Sequence, residues 1–447
     1  MRTGAKSSGA IRYLLAAMAI GSSSIGLTAY AQTMDMAALA SRVVETNPEI
    51  EAQRGAVRVL EARVKAARSG YFPSVEANGL YQHRRLNIHG GPGDDNFNAA
   101  QGSVEARLRV YDGLRTMNSV QVARQELEAG QANLDGTISD VLLQLLQTSA
   151  DVRRDRQIRH YAQLQNDAIA QQLSGTSRRL QFGEATRTDE SQAKARLATS
   201  RTGILSADED LQVSTSAFEA VSGQPASEVP ELPSLAPLPP TLEDAVDTAL
   251  QHNQALISAK NSAEAAEQGI DFAKGALAPQ VDAIAGYEYL AGGVTNLITG
   301  RLPDDRSATY AGVSLRVPIF QRGSEYAEIG RSKALYGQRM AQVAFAQRRV
   351  VDDVTSAWAR WKAAAATIDA AREAVLANEQ AADGVAKEAI GGSRTTLDVL
   401  DAQNELLNAR VSLERAMRNE FVARATVLAA IGQMGMPAIG PRGQSGN

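Results

Sequence analysis

The sequence predicts a mainly α-helical fold that also carries four amphipathic β-strands, written as two half-repeats, and three observations predict it. Hydrophobic residues make up 44% of the 447-residue chain while aromatics make up only 5%, so the apolar content is largely Ala, Leu and Val, which suits close-packed helices. Prolines are missing from 93–224 and from 319–436, so both stretches can hold helices of unusual length. The chain also matches itself. At a spacing of 206, Asn47, Pro73 and Tyr81 return as Asn253, Pro279 and Tyr287. The spacing then shifts to 209, where Gly183, Thr186, Asp189, Ala193, Leu197 and Arg201 return as Gly392, Thr395, Asp398, Ala402, Leu406 and Arg410.

Residues 1–31 read as a secretory signal: Arg2, Lys6 and Arg12 make a basic start, Leu14 to Ile25 an apolar stretch, and Ala29-Tyr30-Ala31 a cleavage site. The mature chain then begins near Gln32. The first half-repeat, 32–229, divides into a helix at about 35–70, two strands, a long helix at about 114–181 and a helix at about 188–222. Residues 230–240 hold five of the fourteen prolines and form an extended linker. In the second half-repeat, 241–436, the helices fall at about 241–276, 323–388 and 396–432, and 437–447 is a tail. At 1.5 Å per residue each long helix spans roughly 100 Å, and the two shorter helices laid end to end reach as far. Val350, Val354, Trp358, Trp361, Ala365 and Ile368 form the seam of a helix packed in a coiled-coil manner.

Four segments alternate with period two. Val75, Ala77, Gly79 and Tyr81 oppose Ser74, Glu76, Asn78 and Leu80, and within 103–110 Val104, Ala106, Leu108 and Val110 oppose Ser103, Glu105, Arg107 and Arg109. Val281, Ala283, Ala285 and Tyr287 oppose Asp282, Ile284, Gly286 and Glu288. The last set is Val313, Leu315, Val317 and Ile319 against Ser314, Arg316 and Pro318. A half-exposed soluble sheet gives the same pattern, but four strands cannot close a barrel and so long a helix cannot fold into a compact globule, so the segments call for further copies. Three copies supply twelve strands. Polar loops, 85–98 and 291–309, join each pair and belong on the outer surface.

Composition excludes several classes. Without cysteine there is no disulfide framework, thiolate metal site or lipid-anchoring thiol. Removal of the signal's three positive charges takes the net charge from −4 to −7, which argues against a nucleic-acid partner. No Walker loop, zinc-helix motif or Gly-x-Ser-x-Gly elbow occurs, and His83, His89, His160 and His252 are scattered, so neither an enzyme nor a cofactor is expected. A soluble periplasmic coiled-coil protein would share the signal and the long helices but would not need two matched pairs of strands.

Several motifs stand in order and in duplicate: Asn-Pro-Glu-Ile at 47–50 with Asn-Gln-Ala-Leu at 253–256, and Val-Tyr-Asp-Gly at 110–113 with Pro-Ile-Phe at 318–320. To these add Phe-Gly-Glu-Ala-Thr-Arg-Thr-Asp at 182–189 and Gly-Ser-Arg-Thr-Thr-Leu-Asp-Val-Leu-Asp-Ala at 392–402. On these motifs the chain resembles the TolC-like outer-membrane efflux protein family over nearly its whole mature length. The resemblance implies a homotrimer with a twelve-stranded barrel in the outer membrane, continued by a twelve-helix α-barrel across the periplasm. It also implies a periplasmic adaptor and an inner-membrane transporter as partners, with export of protein or of small molecules as the function.

The resemblance further implies that Asp398 and Asp401 form the pore gate, that Thr188, Asp189 and Arg394 latch it, and that Gly183 and Gly392 mark the turns where the adaptor docks. The family's latch tyrosine falls at Ala389. Each position has a plainer reading. Thr395 with Asp398, and Thr186 with Asp189, are helix capping boxes; Asp401 reads as a solvated surface carboxylate; glycine simply ends a helix. Asp398 and Asp401 share a helix face, and three-fold symmetry would gather six carboxylates about one axis.

Overall fold

The computed structural model describes residues 35–86, 95–291 and 305–439. The signal at 1–31, most of both strand-joining loops and the end of the tail lie outside the described residues. The elements run α1 Met36–Thr46, α2 Pro48–Arg68, β1 Ser74–Leu86, β2 Asp95–Tyr111, α3 Arg115–Gln181 and α4 Arg187–Ser222. The second set is α5 Leu242–His252, α6 Gln254–Lys274, β3 Gln280–Ala291, β4 Asp305–Arg316, α7 Ser324–Ile390 and α8 Thr396–Ala430. From α1 to the start of β1 the halves differ by 206 residues, and from α3 to the start of α8 by 209, so the three-residue change lies within the strand hairpins.

The expected first helix, 35–70, is two helices, and so is 241–276. Asn47 and Asn253 hold extended backbone at the break, and each side-chain oxygen accepts from the amides two and three residues on, Glu49 and Ile50 in the first half and Ala255 and Leu256 in the second. Pro48 disfavours helical backbone at the residue before it. Gln254 does not, so at Asn253 the division rests on the bonds of the Asn side chain. Each Asn side-chain amide also donates to the end of a later helix, Asn47 to the Val221 carbonyl at 3.3 Å and Asn253 to the Ala430 carbonyl at 3.0 Å. These breaks turn α1 and α5 onto the central core, where Phe218, Leu39, Leu145, Val354 and Leu428 are buried together. Trp358 joins that core, and its ring meets Trp361 edge-on at 5.0 Å, so the expected seam of α7 is a packed face.

The sheet order is β1-β2-β3-β4, antiparallel throughout, with β1 and β4 at open edges. Register follows the alternation: Glu105 pairs with Gly286, Ala106 with Ala285 and Gly286 with Tyr310. Tyr310 lies across Gly286, where an added Cβ would meet its ring at 2.6 Å, and its hydroxyl donates to Glu105 at 2.8 Å. Arg109 reaches Asp282 on the same face at 3.4 Å. The opposite face keeps Val75, Tyr81, Val313 and Leu315 exposed. β2 and β4 start earlier than 103 and 313, and β4 stops before Pro318, which cannot donate to a ladder. Pairing outlasts the alternation, as far as Leu86 with Asp95 and Ala291 with Asp305, and shortens the loops accordingly.

Candidate gate at the two helix turns

α3 and α4 form one hairpin, α7 and α8 the other, and each turns in the same way. Gly183 and Gly392 take φ of +78° and +77°, the left-handed region open to glycine. Their amides and the next ones close the last turn: Gly183 to the Leu180 carbonyl and Glu184 to the Arg179 carbonyl, repeated as Gly392 to Ala389 and Ser393 to Glu388. A capping box then starts each returning helix. The Thr186 hydroxyl accepts from the Asp189 amide while the Asp189 carboxylate accepts from Thr186, and Thr395 with Asp398 repeats this.

Asp398 is thus a helix cap. The Thr395 amide and then its hydroxyl hold the carboxyl below its ordinary value, and Thr186 does the same for Asp189. Asp401 is not engaged in capping. It accepts from Arg196 of α4 at 2.7 Å, an exposed ion pair between the two hairpins. Arg394 donates to Glu388 of its own turn at 2.9 Å, and that carboxylate keeps the guanidinium firmly protonated. Among the described residues no ion pair joins Arg394 to Asp189; Thr188 stands exposed in the first turn of α4 and Ala389 is half-buried.

Two further contacts tie the hairpins close to the turns. Arg179 of α3 donates to the Thr396 hydroxyl at 3.1 Å, and Ile169, Ala193 and Leu400 make a small apolar cluster shared by α3, α4 and α8. Sequence reasoning missed Arg179, Arg196 and Thr396. A signal was present, because these are positions where the repeat departs from itself: Arg196 stands opposite Glu405, Arg179 opposite Glu388 and Thr396 opposite Arg187. The arrangement offers carboxylates, guanidiniums and hydroxyls on solvated helix ends, suited to making and breaking polar ties and to holding cations.

Comparison with known proteins gives a consistent result. The family model described as "Outer membrane efflux protein" matches residues 39–224 and 245–433. The outer membrane efflux protein BepC of Brucella suis is 29% identical over 96% of this chain and 92% of its own length. The outer membrane protein TolC of Escherichia coli is 24% identical over 93% of this chain and 85% of its own. The crystal structure of the outer membrane protein VceC from Vibrio cholerae superposes with a TM-score of 0.75 at 20% identity, over 89% of this chain and 96% of that one. The halves of the family match fall on the two half-repeats, and the chain belongs to the outer membrane efflux protein family.

Proposed function

We propose that three copies of this chain form an outer-membrane channel that takes substrate from a periplasmic adaptor and an inner-membrane transporter and releases it outside, and that the chain is not an enzyme. The observation that carries this reading is the open-edged four-stranded sheet with one polar and one apolar face, continued by helices roughly 100 Å long. Joining β4 of one copy to β1 of the next removes every edge and puts the polar face in the lumen and the apolar face against lipid. Family membership supports the outer membrane as its place.

Asp398 and Asp401 gather about the axis of the closed inner end and repel one another, which favours hard cations there. Arg196 neutralises part of that charge through Asp401. Thr188, Asp189 and Arg394 latch the end through contacts that need a second copy, and the Gly183 and Gly392 turns receive the adaptor. In planar bilayers Asp398→Ala with Asp401→Ala abolishes block by divalent or trivalent cations and leaves the trimer intact. Arg394→Ala raises conductance, and Arg196→Ala tightens the block several-fold by freeing Asp401. Wild-type block in the double variant, or loss of block in Asp189→Ala, would show that these aspartates serve only as a cap and a surface charge. A stable monomer by light scattering in detergent would refute the channel itself.

A further inference from the structure

The two hairpins of one protomer meet along α3 and α8. Down that seam Arg418 clamps Asp151 at 2.8 and 3.1 Å, the Tyr161 hydroxyl donates to Glu414 at 3.3 Å, Ile169 packs on Leu400 and Arg179 donates to Thr396. Every one of these side chains is buried or half-buried.

Because α3 and α7 are both 67 residues long and begin 209 residues apart, as α4 and α8 do, the two faces that meet in this seam have equivalents elsewhere in the chain, on α7 and α4. The offset carries Asp151 to Arg360 and Arg418 to Glu209. It carries Arg179 to Glu388 and Thr396 to Arg187, and Tyr161 with Glu414 to Ala370 with Leu205. All six of these residues are exposed, Leu205 by 68%.

We infer that α7 of one copy packs on α4 of the next in the register of the α3–α8 seam, tied at its ends by Arg360 to Glu209 of the partner subunit and by Glu388 to Arg187 of the partner subunit. Charge complementarity supports this register. The offset turns an Asp–Arg clamp into an Arg–Glu pair of reversed polarity, and an Arg–Thr hydrogen bond into a Glu–Arg ion pair. Among the described residues Arg360, Glu209 and Arg187 make no ion pair. Glu388 gives one oxygen to Arg394 and leaves the other for a second guanidinium. Between the ends, Ala370, Ala374 and Thr367 of α7 face Ala195, Ala198 and Thr202 of α4, small side chains that let two helices approach closely. Leu205 is covered by the α7 backbone at Ala370. The inference rests on the trimeric reading and adds its helix register.

The absence of cysteine makes the test clean. Full-length chains carrying Glu209→Cys with Arg360→Cys, or Arg187→Cys with Glu388→Cys, are treated in outer-membrane vesicles with a short-arm bismaleimide. Covalent dimers and trimers are expected on denaturing gels, at least ten-fold above either single variant. Asp151→Cys with Arg418→Cys instead yields a monomer with an internal bridge. If both pairs remain monomeric while an amine-reactive crosslinker still gives trimer, the register is overturned and the channel stands. The register is equally overturned if the single variants crosslink as well as the pairs. If no crosslinker gives trimer, the channel reading fails with it. A second measurement is independent of thiol chemistry: Glu209→Arg and Arg360→Glu each lower the temperature of trimer dissociation, and the double reversal restores it. Additive loss in the double variant counts against the pairing.

Discussion

Thr186 and Thr395 show what a single side chain does at the turns. Each spends its hydroxyl on an amide that has no helical partner and returns its own amide to an aspartate. Thr395→Ala should therefore destabilise the first turn of α8 by about 1 kcal/mol. Amide exchange at 396–399 then speeds up about five-fold, and exchange in the middle of α8 does not change. The acid response follows from the lowered carboxyls of Asp189 and Asp398. A carboxyl depressed in the folded chain stabilises above its unfolded value and loses that stabilisation as pH falls through the folded one. Protection at both helix starts should hold at neutral pH and fade only below about pH 4. Loss of protection near pH 6 would contradict the capping geometry. The spacing of Thr and Asp made both boxes legible in the sequence. The Arg196–Asp401 pair was not, because its partners lie 205 residues apart and nothing local marks them.

Among the elements, the sequence determined long helices more sharply than short ones. Missing prolines, joined in α7 by an apolar seam, placed α3 and α7 within a few residues of their ends. The division at Asn253 was hidden, since no proline follows it and a lone Asn costs a helix little by itself. What divides the helix is the pair of amides the side chain receives together with its donation to Ala430. Asn253→Ala removes all three bonds, leaves the Ala430 carbonyl half-buried without that donor, and should lower stability by about 1–3 kcal/mol. Urea unfolding monitored by Trp fluorescence reports it directly, because Trp358 and Trp361 sit in the core that α5 packs on. The same reading serves Trp358→Ala, for which about 3–5 kcal/mol is expected from the cavity it leaves. A change under 1 kcal/mol would mean that α7 is not held to the core there.

For the whole molecule, the decisive feature is that its sheet has two unlike faces and no way to close alone. Neighbouring residues of β4 test it. Thr309 lies beside Tyr287 on the apolar face and Ala308 beside Glu288 on the polar one. Thr309→Arg should cost about 2–4 kcal/mol in a bilayer, whereas Ala308→Arg is nearly neutral. Urea titration in lipid, scored by heat-modifiable mobility on gels, separates the two. Equal costs would mean that the apolar face does not meet lipid. The period-two pattern made these faces legible, and it failed at the strand ends because backbone pairing in a hairpin continues where side chains no longer alternate.

The equal length of α3 and α7 also fixes a count. Two hairpins of the same reach end at the same height, so a three-membered ring presents six turns in one plane. A partner that recognises only the shared backbone bend at Gly183 and Gly392 finds six equal seats around the rim. One that recognises side chains finds three, because Phe182 stands 80% exposed beside the first bend where Gly391 occupies the second, and Arg394 follows the second where Ala185 follows the first. Stoichiometry at the rim is therefore written in the few residues by which the two turns differ.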